Sequence, residues 1–154
     1  MKLARYYLIV ALITGLDQIV KIVIINQVAL FDKITLIPGL FDLTHIRNDG
    51  AAYNMFHQVP LLLIVVPAFI MLAGLIYIGV AYKKNNSILM VAIAMVIGGG
   101  LGNLIDRISK GYVVDYFDIH IIPVFNVADI FICIGCGLLF IYLIFIDGKQ
   151  NGKS

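Results

Sequence analysis

"VFNVADIFICIGCGLLFIYLIFI", residues 124–146, carries one charged side chain, Asp129, near its start. A helix needs about 20 mostly apolar residues to cross a bilayer, and this stretch supplies them. It therefore reads as a membrane span with a carboxylate on its lip. Ionisable groups in such places are costly to keep and mark functional sites, so one stretch decides the fold and points to chemistry.

Three more segments of the same kind precede it. They lie at about 6–28, interrupted by Asp17 and Lys21, at 60–82, with no charge at all, and at 88–105, glycine-rich towards its end; the last span covers 127–146. Of the 154 residues, 62% are hydrophobic and 13% charged, and the mean hydropathy is +1.02. Soluble domains carry about a quarter charged residues. The expectation is a mainly α membrane protein: a single integral membrane domain, 1–154, with four transmembrane helices. A net charge of +2 without a basic block gives no reason to expect nucleic acid as a partner. Lys2 and Arg5 followed by an apolar run resemble the start of a cleaved signal. The length of the run, its Asp17 and Lys21, and the lack of a small-residue cleavage site after it favour a retained helix.

Basic residues set the expected orientation. Lys2 and Arg5 precede span one, Lys83 and Lys84 lie between spans two and three, and Lys149 and Lys153 follow span four. With four spans, these places share one side, the cytoplasmic one, and both termini lie there. All acidic residues are aspartates, and every one except Asp147 then falls outside or in the outer half. Two outer segments remain, 29–59 and 106–126. The first holds "KITLI" and "LFDLTHI" around Pro38-Gly39, followed by Asp49-Gly50, which reads as a small hairpin or sheet.

The polar residues each have a plain and a functional reading. Asp17 and Lys21, four apart on one helix face, either neutralise each other or hold a polar part of a substrate. Gly98 and Gly102 in "GGGLGNLIDR" allow close helix packing. Asn103 in the same stretch needs partners, and Asp106 and Arg107 either mark the membrane interface or serve a site. Arg47-Asn48-Asp49-Gly50 makes a turn, and Gly50-Ala51-Ala52 leaves room for another backbone. Cys133 and Cys136 lie in a membrane helix without a basic neighbour and read as small packing residues. His45, His57 and His120 lack zinc-ligand spacing, so no metal is expected. Asp115 and Asp129 meet at the outer surface if the connection between them folds back. Two carboxylates in a poorly hydrated place share one proton, which is what an aspartic protease requires. The alternatives are helix capping by Asp129 or pairing with Arg107. A proton-conducting protein or small transporter is the competing class, with Asp17, Lys21 and Asp129 as a relay; the clustering of charge at one face argues against it.

Asp17-Gln18 with Lys21, "RNDGAAY", "GNLIDR", "GYVVDYFD" and "FNVAD", in that order over nearly the whole chain, resemble the signature of the bacterial lipoprotein signal peptidase (signal peptidase II) family. The resemblance implies an intramembrane aspartic endopeptidase of the inner membrane. Four helices carry a small extracytoplasmic β-rich cradle and a surface helix over the site. It implies a substrate, a prolipoprotein carrying diacylglyceryl-cysteine, cut just before the lipidated cysteine and reached through membrane lipid. No cofactor is implied, and globomycin-type inhibitors are. The motif positions match Asp115 and Asp129 as the catalytic dyad, with Asn48, Gly50, Ala51, Asn103, Asp106, Arg107 and Asn126 in binding or supporting roles. Asp17 and Lys21 match a motif of structural or substrate role. Three departures stand out: the short "IHIIPV" connection, "ADIF" where Ala-Asp-Ser is common, and "AAY" where Phe or Trp is usual.

Overall fold

The structure is a computed structural model that describes residues 2–50, 60–83 and 86–147. Helix α1 spans Lys2–Gln27, strand β1 Lys33–Ile37, β2 Phe41–Asn48, helix α2 Pro60–Ala81, α3 Ser87–Lys110, β3 Val113–Asp118 and α4 Val127–Ile141, continued by a π-helical turn Tyr142–Asp147. The four helices are long and apolar enough to cross a membrane, as expected. Ala51, Ala52, His57, Lys84, Lys149 and Lys153 lie outside the described residues, and the surface helix implied by the resemblance is not among the described elements.

Helix α3 sits at the centre because its glycines let three neighbours come close. Successive residues on a helix point about 100° apart, so Gly98, Gly99 and Gly100 face three directions. A methyl group on Gly98 would lie 2.9 Å from Cβ of Ile13 on α1. One on Gly99 would strike the carbonyl of Ala128 on α4, and one on Gly100 the Met71 side chain on α2. Gly102, one turn beyond Gly98, gives its space to the Asp17 carboxylate. The Gly98/Gly102 pair thus admits α1. Thr14 Oγ1 and Gln18 Nε2 donate to the carbonyls of Gly98 and Gly102 at 2.9 and 3.0 Å. Tyr6, Val10, Met71, Ile78, Met90, Ala94 and Ile97 fill the space between α1, α2 and α3.

One boundary differs from expectation. Span three does not end near Ile105; α3 runs on to Lys110 and takes Asp106 and Arg107 into its last turn. Gly111 stops it in a left-handed conformation (φ 83°), with its N–H bonded to the Arg107 carbonyl at 3.1 Å. Strand β3 begins two residues later, so Asp115 stands close to the helix end.

The expected hairpin forms, with Gly39 (φ 74°) in its turn, and β3 joins it to give an antiparallel sheet of order β1-β2-β3. That third strand was not foreseen: "VVDYFD" has no clean alternation because it is buried on both faces. Val114 and Tyr116 pack on Ile24 and Val28 of α1 and on Val127. The connection after β3 does fold back. Phe125 pairs with Phe117 through two backbone hydrogen bonds of 2.8 and 3.1 Å, which sets Asn126 beside β3 and starts α4 there. The cysteines correct a second expectation: Cys133 and Cys136 are exposed on the outside of the helix bundle, not packed within it.

Candidate active site

The amino terminus of α4 is the foundation of the site. A helix leaves its first N–H groups without partners, and in a membrane no water supplies them. Three side chains from three segments do so here. The Tyr116 hydroxyl accepts from Val127 N at 3.0 Å, Asp17 Oδ1 from Ala128 N at 2.9 Å, and Asn126 Oδ1 from Asp129 N at 3.0 Å. Asp129 Oδ2 accepts in return from Asn126 N at 3.1 Å, closing a capping box. The capping alternative for Asp129 is therefore realised, and it holds the carboxylate still without using up its other oxygen.

Asp115 is placed by the sheet. Asn48 on β2 is opposite Val113, so it shares a face with Asp115 one diagonal along. Its Nδ2 donates to Asp115 Oδ2 at 2.8 Å while its Oδ1 accepts from Gly50 N at 3.2 Å. Asn126 Nδ2 donates to Asp115 Oδ1 at 2.7 Å, and Asn103 Nδ2 to Asp129 Oδ1 at 2.8 Å. Each of these three amides has its oxygen bound to a donor and turns its NH2 to a carboxylate. Asn126 touches both acids, one through its side chain and the other through its backbone. Burial pushes the Asp115 carboxyl up to about 6, against the hydrogen bond from Asn48; the negative charge of Asp129 adds to the rise and the Asn126 bond opposes it.

Both carboxylates line one groove of about 490 Å³. Its polar wall includes Asn48, Asn103 and Arg107; its apolar walls are Pro67, Ile70 and Met71 of α2, Val96 and Gly100 of α3, and Ile132 of α4. Arg107 makes no ion pair closer than 4 Å among the described residues, but its positive charge acts on Asp129, Asp115 and Asp106. The α2 residues carried no signal in the sequence, being ordinary apolar residues in an uncharged span.

Asp17, Lys21 and Asp106 are completely buried and do not line the groove. Asp17 and Lys21 pair at 2.8 Å, as one reading had it, and Lys21 reaches Asp106 at 3.0 Å. Asp106 also accepts from Val114 N at 3.1 Å, from Gln18 Nε2 at 3.2 Å and from Lys110. It thereby fastens β3 to the end of α3. Tyr116 and Lys110 were not singled out from the sequence, and Gln18 entered only as part of the Asp17-Gln18 motif, without a role. Only Lys110, four residues after Asp106, had a visible signal, the spacing of a helical ion pair.

One group of metal-ligand type exists among the described residues, Asp42 and Asp118 on the sheet with His120 just beyond β3. Lys33 Nζ lies 2.7 Å from Asp42 Oδ2, the same oxygen that faces His120 Nε2 at 3.4 Å. A cation there would have to displace an ammonium, so the donor set fits a surface ion cluster better than a metal.

Residues 9–145 match the family described as Signal peptidase (SPase) II. The chain is 39% identical over 148 residues to the lipoprotein signal peptidase of Clostridioides difficile (strain 630), covering 95% of this chain and 99% of that one. It is 41% identical over 138 residues to that of Halothermothrix orenii, covering 89% and 93%. A bacterial membrane enzyme solved by the in meso method at 2.3 Å superposes with a TM-score of 0.85 at 30% identity, over 98% of this chain and 92% of that one. A second, at 1.9 Å, gives 0.82 at 30% identity over 93% and 94%.

Proposed function

The chain belongs to the signal peptidase II family, and from that premise we propose that Asp115 and Asp129 are the dyad with which it removes signal peptides from prolipoproteins. It is a peptidase and a multi-pass bacterial membrane protein. The observation that carries the dyad is that buried Asn126 bridges the two acids lining one groove, with Asn48, Asn103 and Asn126 all turned NH2-first.

Asp115, with its carboxyl raised to about 6, holds the shared proton and polarises the scissile carbonyl. Asp129 takes a proton from a water lying between the two acids as the water oxygen bonds to the carbonyl carbon. The tetrahedral species collapses when the C–N bond breaks and a proton passes to the leaving amine. Arg107 on the groove wall orients the carbonyls of the bound strand, and Gly50, without a side chain, leaves room for its backbone. The apolar groove walls suit a substrate anchored in lipid. The substrate is thus a prolipoprotein with a diacylglyceryl-cysteine, arriving laterally and cut before that cysteine; globomycin-type inhibitors would compete for the same groove. In the orientation set by the basic residues, both termini are cytoplasmic and the dyad lies towards the outer face of the cytoplasmic membrane.

The test is a mass-shift assay on a diacylglyceryl-modified precursor. Asp115→Asn and Asp129→Asn are each expected to abolish cleavage while the protein still inserts. Normal turnover by either purified variant would reject the dyad.

A further inference from the structure

We propose that Lys21, which does not line the groove, is a positioning residue for the dyad: its buried ammonium fixes which end of the Asn103 side chain faces Asp129. The inference rests on the dyad reading above and adds a residue that acts through another.

An asparagine side chain has two ends of similar shape and opposite hydrogen-bonding character, and its direction follows from its neighbours. An ammonium has only donors. Lys21 directs its three at Asp17 Oδ2 (2.8 Å), Asp106 Oδ2 (3.0 Å) and Asn103 Oδ1 (2.9 Å). The same Asn103 oxygen accepts from Asn126 Nδ2 at 3.1 Å. Turning Asn103 round would set its NH2 against an ammonium and a second NH2, and its carbonyl oxygen against the Asp129 carboxylate. Three repulsions would replace three bonds at a buried side chain, where such errors cost most. The cation therefore selects the NH2-forward state that donates to Asp129 at 2.8 Å.

Asp17 links this to the backbone. Its Oδ2 holds Lys21 while its Oδ1 holds Ala128 N, so α1 places the cation and the start of α4 together. Both Lys21 and Asp17 are fully buried. The other charged or titratable groups acting around the dyad are Arg107 and Asp106 from α3 and Tyr116 from β3.

The test removes the cation without leaving a bare buried anion. Lys21→Met combined with Asp17→Asn is charge-neutral, and the new amide oxygen still accepts Ala128 N. With the precursor assay, kcat is expected to fall about 100-fold, as for a misplaced catalytic group, while KM changes little. Losing a donor to the ionised dyad favours its protonation, so the acid limb of the kcat/KM profile is expected to move up. Wild-type kcat and an unmoved acid limb would overturn the proposal. So would a loss of activity with the limb in place, which a merely structural role predicts. Should the double variant not insert, the wild-type protein carries the test. With ¹⁵N-asparagine, the Asn103 NH2 signal is expected to exchange slowly and to follow the dyad titration; a rapidly exchanging signal indifferent to that titration would overturn the proposal. Failure of the dyad itself is separate, since it shows as turnover in Asp115→Asn or Asp129→Asn.

Discussion

Asn126 is the residue on which the site turns. It caps α4, donates to Asp115 and shares an amide oxygen with Lys21. Asn126→Ala is expected to cost about 1 kcal/mol of stability as a lost cap and, beyond that, about 100-fold in kcat as a lost dyad contact. Asn86 provides the comparison, because it caps α3 at the end remote from the groove. Asn86→Ala should show a similar loss in thermal denaturation and no loss in kcat. A second expectation concerns pH. Asp115 is raised from 3.8 to about 6, so it keeps its proton over the range where an ordinary aspartate has lost it. Raising the pH through about 6 removes the shared proton, and kcat/KM for the lipidated precursor should fall on that side. A profile flat from pH 5 to 8 (roughly the range free of other carboxylate titrations) would contradict the assignment of Asp115. At this scale the two acids were legible because a carboxylate is costly at a membrane. The direction of the Asn103 amide was not, since it depends on neighbours 23 to 82 residues away.

Among the elements, α3 carries the architecture, and its glycines say which contacts are tight. Gly99→Ala would press a methyl on the Ala128 backbone, which cannot rotate away, and so would move α4 and Asp129 off α3. The expected cost is about 1–3 kcal/mol, as for overpacking elsewhere, with activity lost as well. Gly15→Ala on α1 meets nothing within 4 Å and should be neutral or stabilising by up to about 1 kcal/mol. Unfolding in detergent micelles, followed by helix signal, separates the two. The four helices were readable because apolar runs of about 20 residues have few other uses. Strand β3 was not, because its burial on both faces erases alternation, and the end of α3 was misplaced because charged Asp106 and Arg107 look like an interface. Within the fold the Asp106 charge is satisfied by Lys21, Lys110 and the start of β3, while Arg107 lines the groove.

For the whole molecule, the orientation is testable with impermeant maleimide on intact cells, in a Cys133→Ala/Cys136→Ala background. Leu36→Cys on β1 should label directly, and Lys83→Cys only after the membrane is opened; the reverse pattern would invert the topology and put the dyad on the wrong side for an exported precursor. Both sites are exposed, so access depends on sidedness alone. The amino-acid sequence by itself determined the number of spans and, through five ordered motifs, the family. These follow from composition and local order, since transfer to lipid depends on each segment's own residues. The tertiary structure alone decided that Asp17 caps the fourth helix, that Asp106 ties down β3 and that Lys21 sets the direction of Asn103. A polar group buried in a membrane protein takes its role from the partner it meets, and those partners come together only when distant segments pack.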